Sequence, residues 1–157
     1  MSTITIGDLC VHPGTKQFGY LKIEQAATLR TFMYDTLSGP PRPRAMLIPL
    51  MVVNGASSGP TLCLTAGTHA CEYIGIEAAS RTYQNTDPET FRGVLIIVPV
   101  VNPASFWTRT PYVNVQDGVD IAYAYGRQGS TIIYVIANSL LNGIYSNAEY
   151  LVDIHGG

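Results

Sequence analysis

Apolar and polar residues alternate over Thr3-Ile4-Thr5-Ile6-Gly7, the period-two pattern of a half-buried strand. Phe18-Gly19-Tyr20-Leu21-Lys22-Ile23 and Ala45 to Val53 read as two more strands, each bounded by Gly or Pro. The three are expected to pair antiparallel. Ser38-Gly39-Pro40-Pro41-Arg42-Pro43 is a proline-rich turn or exposed loop, and Asn54-Gly55-Ala56-Ser57-Ser58-Gly59-Pro60 reads as a second. Neither is long enough to separate two domains.

After Pro60 the pattern changes. Thr61 to Ala66 is a continuous apolar strand, Tyr73 to Tyr83 has helical character, and Val94 to Val101 is another β-branched run. Buried strands separated by a helix of about ten residues indicate a βαβ unit with a parallel pair and a right-handed crossover. A further helix from about Ser130 to Asn142 and a last strand, Tyr150-Leu151-Val152-Asp153-Ile154, complete the order. No internal repeat or low-complexity segment is present. The expectation is one α/β domain over residues 1–157.

Composition narrows the partners. A chain of 157 residues, 46% hydrophobic and 13% charged, can bury one sizeable core. A net charge of -2, with nine Lys and Arg dispersed along the chain, gives no footprint for nucleic acid or an anionic membrane, so a small-molecule partner is expected. Three cysteines with no C-x-x-C pair indicate neither a disulfide framework nor a cysteine metal site, which fits a reducing cytoplasm. The first ten residues lack a signal-peptide pattern, and no apolar stretch approaches the roughly 20 residues of a membrane span.

Candidate chemistry lies at two predicted strand ends. Gly67-Thr68-His69-Ala70-Cys71-Glu72 follows the strand ending near Ala66, and Asp153-Ile154-His155-Gly156-Gly157 closes the chain. A histidine and a glutamate three positions apart, joined by a second histidine, supply two imidazoles and one carboxylate for a catalytic zinc whose fourth position stays open. Ligand sites in open α/β sheets lie at the carboxyl ends of parallel strands, and neighbouring strands run about 4.8 Å apart, so His69 and His155 can share one ion. An isolated H-x-x-E is common by chance, and the second motif is what gives it weight. His12, in Val11-His12-Pro13-Gly14, reads as a surface residue. Cys71 reads as a small buried side chain, because the histidines that would activate a thiolate are wanted by the metal. Trp107 fits a pocket wall or the core, and Gly156-Gly157 either a close backbone approach or a tight turn.

The segments Gly67 to Glu72, Pro99-Val100-Val101-Asn102-Pro103, Phe106 to Arg109 with Thr110-Pro111-Tyr112-Val113-Asn114, Asp117-Gly118-Val119-Asp120 and Asp153 to Gly157 together resemble the N-terminal half of the succinylglutamate desuccinylase/aspartoacylase family, relatives of the zinc carboxypeptidases. The resemblance implies a mixed, mostly parallel sheet with flanking helices and an antiparallel N-terminal lead-in. It implies one zinc ion per chain held by His69, Glu72 and His155, and a metal-activated water that cleaves the amide bond of a small N-acyl amino acid or related N-acyl amine. Arg109 matches the position expected to steady the carbonyl oxygen. Asp153 is placed to orient a neighbouring group.

Two departures accompany the resemblance. Where the family has an Asn-Arg pair that clamps a substrate carboxylate, this chain has Ala122-Tyr123, and Arg127 follows four positions later; a tyrosine offers one hydrogen bond and no charge. The family's general base, a glutamate, lies beyond the third ligand, and Glu77, Glu89 and Glu149 do not match it. The chain is therefore expected to be incomplete after Gly157, leaving a sheet edge uncovered. The alternative is a non-catalytic metal- or ligand-binding module descended from such an enzyme.

Overall fold

A computed structural model describes residues 1–24 and 45–156. The expected loop Ser38 to Pro43 lies outside the described residues. The N-terminus forms a small antiparallel sheet of β1 (Ile4–Ile6) and β2 (Leu9–Val11). The second of these strands is too short to show in the hydrophobic pattern. The main sheet has five strands, β3 (Thr15–Glu24), β4 (Ala45–Asn54), β5 (Ser57–Ala66), β6 (Arg92–Val98) and β7 (Tyr150–Ile154), in the order β3-β4-β6-β5-β7. Three helices, α1 (Tyr73–Asn85), α2 (Pro103–Thr108) and α3 (Ile132–Gly143), connect and cover them.

Of the three lead-in strands, β3 and β4 pair antiparallel as expected, whereas β1 pairs with β2 in its own sheet instead of joining them, and β4 also runs antiparallel to β6. The two parallel ladders, β5 with β6 and β5 with β7, are those of the βαβ unit and the last strand. The loop expected over Asn54 to Pro60 is shorter than the glycines and serines imply. Only residues 55 and 56 turn, because Gly55 N–H donates to Gly93 O and Ala56 N–H to Pro88 O, and β5 starts at Ser57. Helix α2 was not anticipated. Its proline at the first turn and its Asn102 cap, which accepts from Ser105 N–H, form a start signal within an otherwise loop-like stretch.

Continuous apolar strands here mean burial on both faces. Ile48, Leu50 and Val52 of β4, Cys63 of β5 and Val94, Ile96 and Val98 of β6 face one cluster. That cluster is closed by Ile132, Ile133, Ile136, Ala137 and Leu140 of α3, whose three-to-four-residue spacing makes one apolar stripe. Each large side chain so buried contributes about 1.5–3 kcal/mol. Val53, Leu64, Ala66, Leu95 and Ile97 point the other way, onto Ala79 of α1. Strand β7 has one partner, β5, among the described residues, and its Tyr150, Leu151 and Val152 are exposed. No helix among the described residues is long and apolar enough to cross a membrane.

Candidate metal centre

Because β5 and β7 are adjacent and parallel, with Thr65 opposite Asp153 and Ala66 opposite Ile154, both chemistry-bearing segments leave the sheet at the same end. Gly67 turns the chain with φ +64, and a Cβ there would meet Val100 Cα at 3.1 Å. The turn is tied to the loop after β6 by Val101 N–H to Ala66 O and Asn102 N–H to Gly67 O. Glu72 N–H then donates to His69 O, closing one tight turn that sets both side chains on the same side before α1 begins. At the first turn of that helix Gly75 lies against β7, where a Cβ would stand 2.9 Å from Ile154 O. This close approach brings Glu72 beside His155.

The three predicted ligands converge. One donor atom from each of His69, Glu72 and His155 can be chosen so that all lie within 4.8 Å of one another. His69 Nδ1 is 3.0 Å from Glu72 Oε1, and His155 Nδ1 is 2.9 Å from Glu72 Oε2. The imidazoles meet edge-on with centroids 5.0 Å apart. Behind each stands a carboxylate. His155 Nε2 is 2.9 Å from Asp153 Oδ2, and His69 Nε2 is 3.4 Å from Asp120 Oδ2. If each imidazole carries its proton on Nε2, both Nδ1 lone pairs face the glutamate.

The donor set suits a cation. Glu72 is buried, yet its Oε2 has no side-chain hydrogen-bond partner, although His155 Nδ1 stands 2.9 Å away. Burial works to raise the Glu72 carboxyl, but the His69 hydrogen bond, the Gly156 N–H and the charges of both histidines hold it below the usual range. Burial works to lower His69, but its bonds to Glu72 and Asp120 outweigh this and hold it above the usual imidazole value. The cluster thus draws positive charge onto itself, and two imidazoles with one carboxylate form a zinc set with room for a fourth ligand.

Arg109 caps α2 in the left-handed region at φ 55 and is exposed. Tyr112, the other non-glycine residue at positive φ, has φ 59 and lays its ring edge-on to His69 at 5.4 Å. Strain of this kind clusters where surrounding structure holds a side chain for use. The sequence reading assigned no role to Tyr112 or Asp120; the only signal for them was the matching segments in which they stand. Tyr123 is exposed, and Ala122 contributes its N–H to Asp120 Oδ1. Trp107 is exposed and stacks on Phe106, which in turn touches Tyr73, so it belongs to a surface and not to the core. His12 is exposed beside Thr3, as expected. Cys71 is half-buried, whereas burial and the Asp153 charge push the Cys63 thiol up to about 12.

Comparison with known proteins bears on the same residues. The Succinylglutamate desuccinylase/Aspartoacylase catalytic domain matches residues 58–157, the stretch holding all three candidate ligands. The N-alpha-acetyl-L-2,4-diaminobutyric acid deacetylase of Halomonas elongata is 29% identical over 114 residues, covering 72% of this chain and 33% of that protein. A succinylglutamate desuccinylase/aspartoacylase structure from Rhodobacter sphaeroides superposes with a TM-score of 0.72 at 29% identity, over 89% of this chain and 39% of that one. The product-bound ectoine utilization protein EutE (DoeB) of Ruegeria pomeroyi gives a TM-score of 0.71 at 29% identity, over 90% and 40%. The chain therefore spans about a third of the length of its curated relative.

Proposed function

The chain belongs to the succinylglutamate desuccinylase/aspartoacylase family, and from that premise we propose that it forms the metal-holding part of a zinc-dependent deacylase. In this reading His69, Glu72 and His155 hold the ion, and the domain over residues 1–157 carries them. The observation that carries the reading is the convergence of one donor atom each from His69, Glu72 and His155 within 4.8 Å, with the buried Glu72 Oε2 left without a side-chain hydrogen-bond partner. A zinc ion held there supplies polarisation of an acyl carbonyl and a water acidic enough to attack it near neutral pH. Arg109 donates its guanidinium to the carbonyl oxygen as negative charge develops there. Asp120 and Asp153 keep the imidazole protons on the far nitrogens. The substrate is a small N-acyl amino acid or related N-acyl amine, the class to which the Halomonas elongata relative's named substrate belongs. A cytoplasmic site of action accords with the unpaired cysteines.

A second reading, a metal-binding module without turnover, is supported by Ala122-Tyr123 at the place of the family's carboxylate-clamping pair, where Tyr123 is exposed and uncharged. The test has two steps. Zinc content after dialysis should be one ion per chain and should fall sharply in His69→Ala. Zinc-loaded protein should then release amine from a panel of N-acetyl amino acids and N-acetyl amines. Wild-type protein that holds no zinc would sink both readings, and zinc held without turnover would favour the module.

A further inference from the structure

His155 is the least enclosed of the three donors. Its side chain is 43% exposed, against 19% for His69 and 8% for Glu72, and it follows β7, which has one strand partner among the described residues. Its one ring contact is His69. An imidazole so placed can turn over about its χ2 axis, exchanging Nδ1 for a carbon and removing a ligand atom. The 2.9 Å contacts from Nδ1 to Glu72 Oε2 and from Nε2 to Asp153 Oδ2 oppose this, and Asp153 is itself held by two buried hydroxyls. Thr65 Oγ1 donates to Oδ1 at 2.7 Å, and Thr68 Oγ1 lies 3.1 Å from both oxygens. Thr65 and Thr68 are only 1% and 3% exposed.

We propose that Thr65 and Thr68 are positioning residues that act through Asp153 to keep the His155 proton on Nε2 and so aim its bare Nδ1 at the metal position. The inference rests on the metal-site reading above but touches residues outside the ligand set. A carboxylate offers about four acceptor directions, and here the two threonine hydroxyls and His155 take three of them, which holds the Asp153 side chain in place. Without the hydroxyls it has somewhere to turn. A cleft of about 350 Å³ lined by Thr65, Thr68, Tyr125, Tyr145, Leu151 and Asp153 among others opens beside it. The pairing of Thr65 with Asp153 is built into the β5–β7 register. The other imidazole lacks this support, since Asp120 sits at 3.4 Å from His69 and gives its second oxygen to Ala122 N–H.

Valine keeps the threonine shape and removes the hydroxyl, so Thr65→Val, Thr68→Val and the double variant isolate the bonds, with Thr68→Ser as the conservative rescue. Zinc affinity, measured by competition with a chromogenic chelator, should fall about tenfold in the double variant, the low end of the range for residues behind metal ligands, while Thr68→Ser stays within about twofold of wild type. Long-range proton–nitrogen spectra of the metal-free protein at mildly alkaline pH should show His155 as a single Nε2–H tautomer in the wild type and a mixture in the double variant. Unchanged affinity and tautomer in the double variant, or a Thr68→Ser protein no better than Thr68→Val, would overturn the proposal. Should the double variant fail to fold, the Ser and Val single variants at position 68 decide it by the same readouts. A wild type that binds no zinc yet loses its Nε2–H tautomer in the valine variants would refute the metal reading and leave standing only the positioning of His155 by the two threonines.

Discussion

Gly75 is the point where helix propensity and the metal site pull in opposite directions. It lies in the first turn of α1, three residues after Glu72, and alanine at an ordinary helix position would stabilise by about 0.5–1 kcal/mol. At this position the added Cβ would stand 2.9 Å from Ile154 O and 3.2 Å from Ile154 Cγ2. The oxygen belongs to the backbone of β7 and has no rotamer to change, so helix and strand must separate by a few tenths of an ångström. Overpacking of this kind costs about 1–3 kcal/mol. The difference leaves Gly75→Ala destabilised by about 1 kcal/mol, a loss of about 2–4 °C in melting temperature for a chain of this size.

The same displacement separates Glu72 from His155, and a metal site tolerates only about 0.2 Å of error in its ligand distances, so zinc affinity should fall with stability. Ala78→Gly is the control. Ala78 is exposed on the same helix, and the change should cost about 1 kcal/mol of propensity without altering zinc affinity. Thermal melts and chelator competition on both variants give the answer. Gly75→Ala protein that gains stability and binds zinc like the wild type would refute the claim that this contact sets the distance between ligands.

Lys16 reaches from β3 to the other end of α1, where its Nζ donates to Tyr83 O, Gln84 O and Thr86 O at 3.0 to 3.1 Å; Lys16→Met should cost about 1–2 kcal/mol in denaturant unfolding, the range for a cation at a partly buried helix C-terminus, and a loss below 0.3 kcal/mol would show the contacts to be idle. The metal-free protein should be most stable between the ordinary carboxyl and imidazole values. Glu72 is lowered on folding, so its contribution is present above its ordinary 4.5 and is lost as pH falls through the folded value; His69 is raised, so its contribution is present below its ordinary 6.5 and is lost as pH rises through the folded value. Denaturant midpoints measured in a chelator across that range should peak inside the window, whereas zinc, which competes with protons for His69, should remove the alkaline fall. A metal-free midpoint that keeps rising above the imidazole value would contradict the assignment.

The strands and helices with strong periodicity were legible in the sequence. Tyr150–Ile154 was bounded as found, and α1 and α3 were located to within about two residues at each end. Elements defined by their partners were not. β2 is three residues long and is defined by its pairing with β1, which Asn54 Nδ2 braces by donating to Val11 O and Ser2 O. β5 starts before Thr61 because Gly55 and Ala56 bond across to 93 and 88. The convergence of His69, Glu72 and His155 was readable because their residue types are few and their motifs follow strand ends. The supporting groups were not, since a threonine behind an aspartate behind a histidine leaves no spacing rule, and only the register of β5 against β7 places Thr65 there.

That register also places the candidate ligand that follows β7. Successive side chains of β7 face opposite ways, with Leu151 and Asp153 toward the α3 side and Ile154 against the α1 cluster. A slip of one residue would exchange these faces. Ile154 would lose its place beside Ala66 and Ala79, and Asp153 would leave the two threonine hydroxyls for an apolar surface, stranding a carboxylate at a cost of several kcal/mol. Polar and apolar halves of the same strand therefore select the same alignment. Since the turn after β5 fixes His69 and Glu72 relative to Ala66, the alignment that satisfies Asp153 also fixes where His155 meets them. The meeting of His69, Glu72 and His155 is in this sense a consequence of strand register, and it depends on the short polar contacts at Asp153 more than on the extent of the core beneath them.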